Sequence, residues 1–225
     1  MAQRRTSSPN RPSPRRLHRR RGRQDLSSER WLLLLGIVTL IAIVAGAIGP
    51  WPVVVPANDA RPLTMAEARA SNAAVPIDRA RRLRATRYHF RGGPAAREQA
   101  IECLATAALY EAGDDRRGQR AVIQVILNRV RAPGFAKTIC GVVYQGSQRT
   151  SGCQFSFTCD GSFRRRPIHL GWAGARRAAR RGLNGEVFGD VGRATHYHTD
   201  WMVPYWRDSL VKVAQVGPHL FYVRS

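Results

Sequence analysis

From Glu98 to Leu109 apolar residues recur at spacings of three and four, at Ile101, Leu104, Ala105, Ala108 and Leu109, which predicts an amphipathic helix. A second helix is predicted from Gly118 to Arg131 on the stripe Val122, Val125, Ile126 and Val130, with Asp114 and Asp115 before it and Pro133 just past its end. The two pack as a hairpin around the loop that carries Glu111. A third helix, about Leu170 to Leu183, turns Ala175, Ala178, Ala179 and Leu183 inward and Arg176, Arg177, Arg180 and Arg181 outward, stopping at Gly182 or Gly185. After Asn184 the period shortens: Ala194–Thr199, Leu210–Val216 and His219–Val223 read as short strands, with Gly217-Pro218 turning the last two. Between helices two and three, Cys153 to Gly161 alternates polar and aromatic residues, as a short strand or a stapled loop does. Residues 98–225 are therefore expected to be one α+β domain, helices first and a small antiparallel sheet last.

The first 97 residues have a different pattern. Residues 1–30 hold ten Arg with Pro and Ser and almost nothing apolar, so burial has little to set against the entropy of ordering, and a disordered tail is expected. From Trp31 to Ile48 come 18 residues without a charge and without a polar stripe. At 1.5 Å per residue they reach about 27 Å, close to the roughly 30 Å of a bilayer core, so residues 31–49 are expected to be a transmembrane anchor. Ala45-Gly46-Ala47 would suit a cleaved signal, but the basic region before the span is far longer than a signal peptide carries. The preceding Arg residues place the N-terminus in the cytoplasm and the C-terminal domain outside it, in a periplasm-type space. Residues 50–97, with scattered Pro, Ala and Arg and no sustained period, are expected to be a linker; Thr64 three residues before Glu67 has capping-box spacing for a short helix from Thr64 to Ser71.

Composition sharpens this picture in two places. The 225 residues suffice for one or two ordinary domains, and 44% hydrophobic content excludes wholesale disorder. The net charge of +22 is spread over tail, linker and domain, and Arg outnumbers Lys 35 to 2, a pattern of codon usage before one of nucleic-acid binding, so no nucleic-acid partner is expected. Four cysteines, Cys103, Cys140, Cys153 and Cys159, all lie in the C-terminal domain; an even number beyond an export signal favours disulfides, and Cys103–Cys140 with Cys153–Cys159 is the simplest of three pairings.

A series of separated blocks, in order, gives the domain a family. Ala107-Ala108-Leu109-Tyr110-Glu111-Ala112-Gly113, Gly118-Gln119, Asn128-Arg129-Val130, Cys140-Gly141-Val142-Val143-Tyr144-Gln145, Gln154-Phe155-Ser156, Ala194-Thr195-His196-Tyr197-His198, Pro204-Tyr205-Trp206 and Gly217-Pro218-His219-Leu220-Phe221-Tyr222 resemble the SleB-type cell wall hydrolases over residues 98–223. The resemblance implies a lysozyme-like helical lobe, peptidoglycan as the partner, no cofactor, and the Glu after the Leu-Tyr pair, Glu111, as the acid. Cleaving a glycosidic bond requires a carboxylic acid kept protonated by an apolar setting, which the residues around Glu111 supply, although spacing alone fits a surface Glu at a helix end equally well. A two-carboxylate mechanism would need a partner such as Asp160 or Asp200. The single-Glu reaction of lytic transglycosylases is preferred, on the resemblance.

Gln154, Ser156, His196, Tyr197, His198 and Trp206 are the candidate substrate-binding residues. His196 and His198 share one face of a strand, so the enzymatic rival is a zinc amidase with His169 or His219 and Asp200 as further ligands. No HExxH or similar spacing supports it, and no metal is expected. The non-enzymatic rival is an anchored basic protein binding an anionic polymer through its Arg residues.

Overall fold

In the computed structural model, residues 26–47, 61–150, 152–164 and 171–225 are described. The expected tail up to residue 25, the anchor's end at Ile48, the first part of the linker, His169 and the predicted helix start at Leu170 lie outside them. The chain divides into two compact units, Met1–Asp59 and Ala60–Ser225.

In the first unit, α1 (Leu26–Ala47) covers most of the predicted anchor, and its large apolar side chains from Trp31 to Val44 are exposed. Among the described residues no helix is long and apolar enough to cross a membrane. The uncharged part of α1, Trp31–Ala47, is 17 residues, which rise about 26 Å, a little less than a bilayer core.

The second unit is built on α3 (Pro94–Ala112), α4 (Arg116–Arg131) and α6 (Trp172–Leu183), which follow α2 (Met65–Ala74) in chain order; α5 (Ile139–Val143) lies between α4 and α6. Proline supplies a preset φ and lacks only an N–H that the first turn leaves unpaired, so α3 starts at Pro94, four residues before the predicted start. It ends at Gly113, whose φ of +51° few residues but glycine adopt, and Glu111 is thereby held in its last turn. Asp115 starts α4 by accepting a hydrogen bond from the Arg117 N–H at 2.9 Å.

Two apolar clusters meet on α4. Val122, Ile126 and Leu127 pack with Ile101, Leu104 and Ala108 of α3 and with Ala179 and Leu183 of α6, while Ala121 and Val125 face the sheet. Close approach of α4 and α6 depends on Gly182, where a Cβ would come within 3.0 Å of Ile123. The sheet contains β1 (His196–Thr199), β2 (Leu210–Val216) and β3 (His219–Arg224) in antiparallel order β1-β3-β2. Its register pairs His196 with Tyr222, Tyr197 with Phe221 and Thr199 with His219. Val213, Val216 and Phe221 fill the layer between sheet and α4.

The α+β class and the order of elements are as expected, and α5, too short for a periodic signal, is additional. Both disulfides are present in the expected pairing, Cys103–Cys140 tying α3 to α5 and Cys153–Cys159 stapling a loop around a short 3₁₀ turn at Ser156–Thr158, so the loop alternative holds there rather than a strand.

Residues 61–97, expected as linker, pack on the domain instead. Thr64 and Glu67 form the capping box of α2. Asn72 Nδ2 donates to the carbonyls of Asp200 (2.8 Å) and Met202 (3.0 Å), and Lys212 Nζ donates to the Asn72 carbonyl at 2.7 Å. Arg131 donates to the carbonyls of Thr86 and Arg87, and Tyr88 and Phe90 pack on the helical core. The segment is attached chiefly by side chains hydrogen-bonding to backbone carbonyls, an attachment that leaves no apolar period to read.

Candidate active site

Glu111 lines a cleft of about 350 Å³ bounded by the end of α3, the stapled loop and the sheet. Tyr110, Ala112 and Asp115 line it from the helices, Ser156, Phe157, Asp160 and Ser162 from the loop, and Thr199, Trp201, Pro218 and His219 from the sheet and its turns. One wall is aromatic: Tyr110 stacks on Phe157 at 4.6 Å, and Phe163 continues the stack outward. Trp201, 39% exposed, also lines the cleft. A flat apolar wall with polar rims suits a sugar ring.

The carboxyl has a direct side-chain partner. Tyr197 projects from β1 toward α3, and its hydroxyl donates to Glu111 Oε2 at 2.9 Å. Burial pushes the Glu111 carboxyl above the usual carboxylate range; the Tyr197 hydrogen bond and the charge of Arg129 pull the other way, and the negative charge of Asp160 adds to the rise. Tyr197 is itself pushed well above the normal phenol range, by burial first and by Glu111 next, so it remains a donor. With Oε2 accepting from Tyr197, the proton of the neutral acid belongs on Oε1. An acid buried enough to keep its proton, yet open to a cleft, can protonate a leaving group.

The period-two geometry of β1 separates residues that the sequence grouped together. Tyr197 and Thr199 project to the cleft side, and His196 and His198 to the other, where both rings pack 5.5 Å from Trp206. His198 is buried; its Nδ1 donates to the Thr199 carbonyl and its Nε2 accepts from the Tyr222 hydroxyl, both at 2.9 Å. Burial lowers the His198 pKa, and it lowers that of His196, with Arg129 and Arg224 helping, to about 4. Both shifts favour the neutral imidazole, and His196, His198 and Trp206 do not line the cleft. Gln154 is exposed and also lies outside the lining; of the candidates, Ser156 lines the cleft and Tyr197 reaches Glu111.

The two carboxylates weighed as partners part company as well. Asp160 lines the cleft with Glu111, whereas Asp200 pairs with Arg69 at 3.2 Å. Among the described residues no three of His, Cys, Asp and Glu stand close enough to hold a metal ion, and both nitrogens of His198 are engaged. Trp201, an aromatic that the sequence offers for stacking on a sugar, lines the cleft, whereas Thr199 and Asp115 were missed as site residues. Thr199 was readable in principle, since it has the same strand parity as Tyr197. Asp115 carried no such signal, being a helix cap.

Residues 113–222 match the family model described as Cell Wall Hydrolase, a match that begins two residues after Glu111. The chain is 32% identical over 123 residues to a spore cortex-lytic enzyme of Halalkalibacterium halodurans, covering 54% of this chain and 34% of that protein. It thus spans about a third of the length of the curated relative it matches. Among solved structures it is similar to the catalytic domain of the germination-specific lytic transglycosylase SleB from Bacillus anthracis, at 26% identity and a TM-score of 0.45, over 56% of this chain and 95% of that one. The catalytic domain of Bacillus cereus SleB also matches at 26% identity, with a TM-score of 0.46 over 60% and 95% of the two chains.

Proposed function

We propose that the C-terminal domain, which belongs to the SleB-type cell wall hydrolase family, cleaves the glycosidic bond between N-acetylmuramic acid and N-acetylglucosamine as a lytic transglycosylase with Glu111 as its one catalytic acid and base. The observation that carries the reading is a carboxyl hydrogen-bonded to the Tyr197 hydroxyl and lining an aromatic-walled cleft, where burial pushes its pKa up. Glu111 Oε1–H protonates the leaving oxygen as the C1–O bond breaks, leaving positive charge on the muramyl ring. The resulting carboxylate then takes the proton of the muramyl C6 hydroxyl as that oxygen bonds to C1, closing a 1,6-anhydro ring and restoring the acid. No water is consumed. Tyr197 steadies the carboxylate between the two transfers, and Trp201 and the Tyr110–Phe157 wall hold the sugars.

Asp160 favours a second reading, in which it activates water across the cleft and the product is a reducing end. Mass spectrometry of muropeptides released from purified sacculi separates these. Anhydro ends are expected; reducing ends would transfer the reaction to the Asp160 scheme, and freed stem peptides would replace both with an amidase.

The proposal extends to location: a single-pass protein of the cytoplasmic membrane, its domain on the wall side. The ten Arg before Trp31, the uncharged 17 residues of α1 and the two disulfides beyond them support it. A reporter fused after Ser225 is expected to be active only outside the cytoplasm; cytoplasmic activity would contradict both location and substrate.

A further inference from the structure

Arg129 is the one residue of α4 whose chemistry conflicts with its place. It falls on the apolar side of the helix, is 4% exposed, and is enclosed by the rings of Phe135, Phe155 and Tyr197, whose centroids lie 5.3, 5.2 and 5.9 Å from its guanidinium carbon. Nε donates to the Thr195 carbonyl at 2.6 Å, while Nη1 is buried without a hydrogen-bond partner among the described residues. Taking a guanidinium out of water and leaving one of its donors unmatched disfavours folding, and an apolar side chain of similar length would fill the same space without that cost. The fold alone therefore gives no reason for a cation here.

The site does. The phenol whose ring packs on the guanidinium is the one that donates its hydroxyl to Glu111. The titratable and charged groups around Glu111 are Tyr110 beside it on α3, Tyr197 from β1, Asp115 at the start of α4, Asp160 from the stapled loop, His219 from β3 and Arg129. The charge of Asp160 pushes the Glu111 pKa up, and burial lowers the His219 pKa against the pull of Asp115 and Asp200. Burial and Asp160 resist a negative Glu111, and Tyr197 and Arg129 favour it.

We propose that Arg129 is a positioning residue whose fixed positive charge, set behind Tyr197, stabilises the carboxylate that Glu111 becomes when its proton passes to the leaving oxygen. This rests on the glycosidic reading of Glu111. Burial keeps the acid protonated until substrate arrives, and Arg129 keeps it from holding that proton too tightly to give up. Aromatic faces are suited to a cation that has no carboxylate beside it, and they fix the guanidinium without neutralising it.

The test is the pH dependence of muropeptide release by the full-length protein, for wild type, Arg129→Met, Arg129→Gln and Arg129→Lys, each checked for folding by circular dichroism. The free enzyme works with Glu111 protonated, so its rate falls as pH rises through the Glu111 pKa. Without the cation the acid holds its proton more tightly: the falling limb should move up by roughly one pH unit and the rate below it drop by about tenfold. Arg129→Lys keeps the charge but loses the Nε–H donated to Thr195, and should leave the limb near its wild-type place. A purely structural Arg129 would lower the folded fraction or the rate and leave the limb where it was. An unmoved limb in the folded neutral variants, a Lys variant displaced as far as Met, or failure of both neutral variants to fold overturns the proposal. Failure of the underlying reading looks different: the wild-type limb would then be absent, or would survive in Glu111→Gln.

Discussion

Tyr197→Phe removes a single oxygen from the candidate site and nothing from its packing, since the ring keeps its contacts with Phe155, His219 and Phe221. What is lost is the 2.9 Å hydrogen bond to Glu111 Oε2, which stabilises the carboxylate more than the acid. A hydrogen bond to a charged group contributes about 1.5–3 kcal/mol, and one pKa unit corresponds to about 1.36 kcal/mol, so the Glu111 pKa should rise by roughly one to two units. The sign follows: the acid is needed protonated, so the alkaline limb of the pH–rate profile moves to higher pH. Below that limb the rate falls roughly ten- to a hundredfold, because the weaker acid gives up its proton less readily. Stability should change by no more than about 1 kcal/mol, since Glu111 opens on the cleft and water can replace the lost donor. Initial rates of solubilisation of purified sacculi across the pH range, with a thermal melt of each protein, measure both. A limb that stays in place, or moves to lower pH, refutes the assignment of Glu111 as the titrating acid.

The disulfides should contribute unequally, because the stabilisation grows with the loop closed: about 4 kcal/mol for Cys103–Cys140, with a separation of 37 residues, and about 2 kcal/mol for Cys153–Cys159, with a separation of 6, read as the difference in denaturant midpoints of the paired Cys→Ser variants. The smaller bridge staples the loop that carries Ser156 to the cleft, so its loss should raise KM more than it lowers the melting temperature. His198→Ala should destabilise by roughly 1–3 kcal/mol, through the buried Tyr222 hydroxyl left unpaired, without abolishing muropeptide release. A chelator should leave release unchanged; loss of activity on either treatment would revive a histidine-bound metal.

The parts of this molecule legible in the sequence are those that rest on one periodic interaction. The apolar stripe of α4, and for β2 and β3 short β-prone runs around the Gly217-Pro218 turn, placed those elements within a residue or two. The sequence position of α2 was readable from Thr64 and Glu67, but its attachment was not, since Asn72, Arg207 and Lys212 reach residues more than a hundred positions away by hydrogen bonds. Glu111 was found through the blocks around it, and its environment only through the fold: the phenol that bonds it is 86 positions distant. The histidines show the opposite failure. Alternation along β1 correctly put His196 and His198 on one face, yet which face meets the cleft depends on how the sheet sits on α4, and that is set by Val213, Val216 and Phe221. Arg129 carried a signal that was passed over, a charge on the apolar face of a helix.

The central claim is that one carboxylic acid performs the cleavage, and Glu111→Gln tests it most directly. The amide keeps the shape of the acid and can still accept from Tyr197, so the fold and the cleft should survive while proton donation is lost. Full-length wild type and variant, matched for folding by circular dichroism, are incubated with purified sacculi and the released muropeptides counted by mass spectrometry. General acid catalysis typically contributes about 10²–10⁴-fold, so release by the variant should fall by at least a hundredfold, with anhydro-muropeptides disappearing from its products. A folded Glu111→Gln protein that releases muropeptides at a rate near wild type would contradict the account.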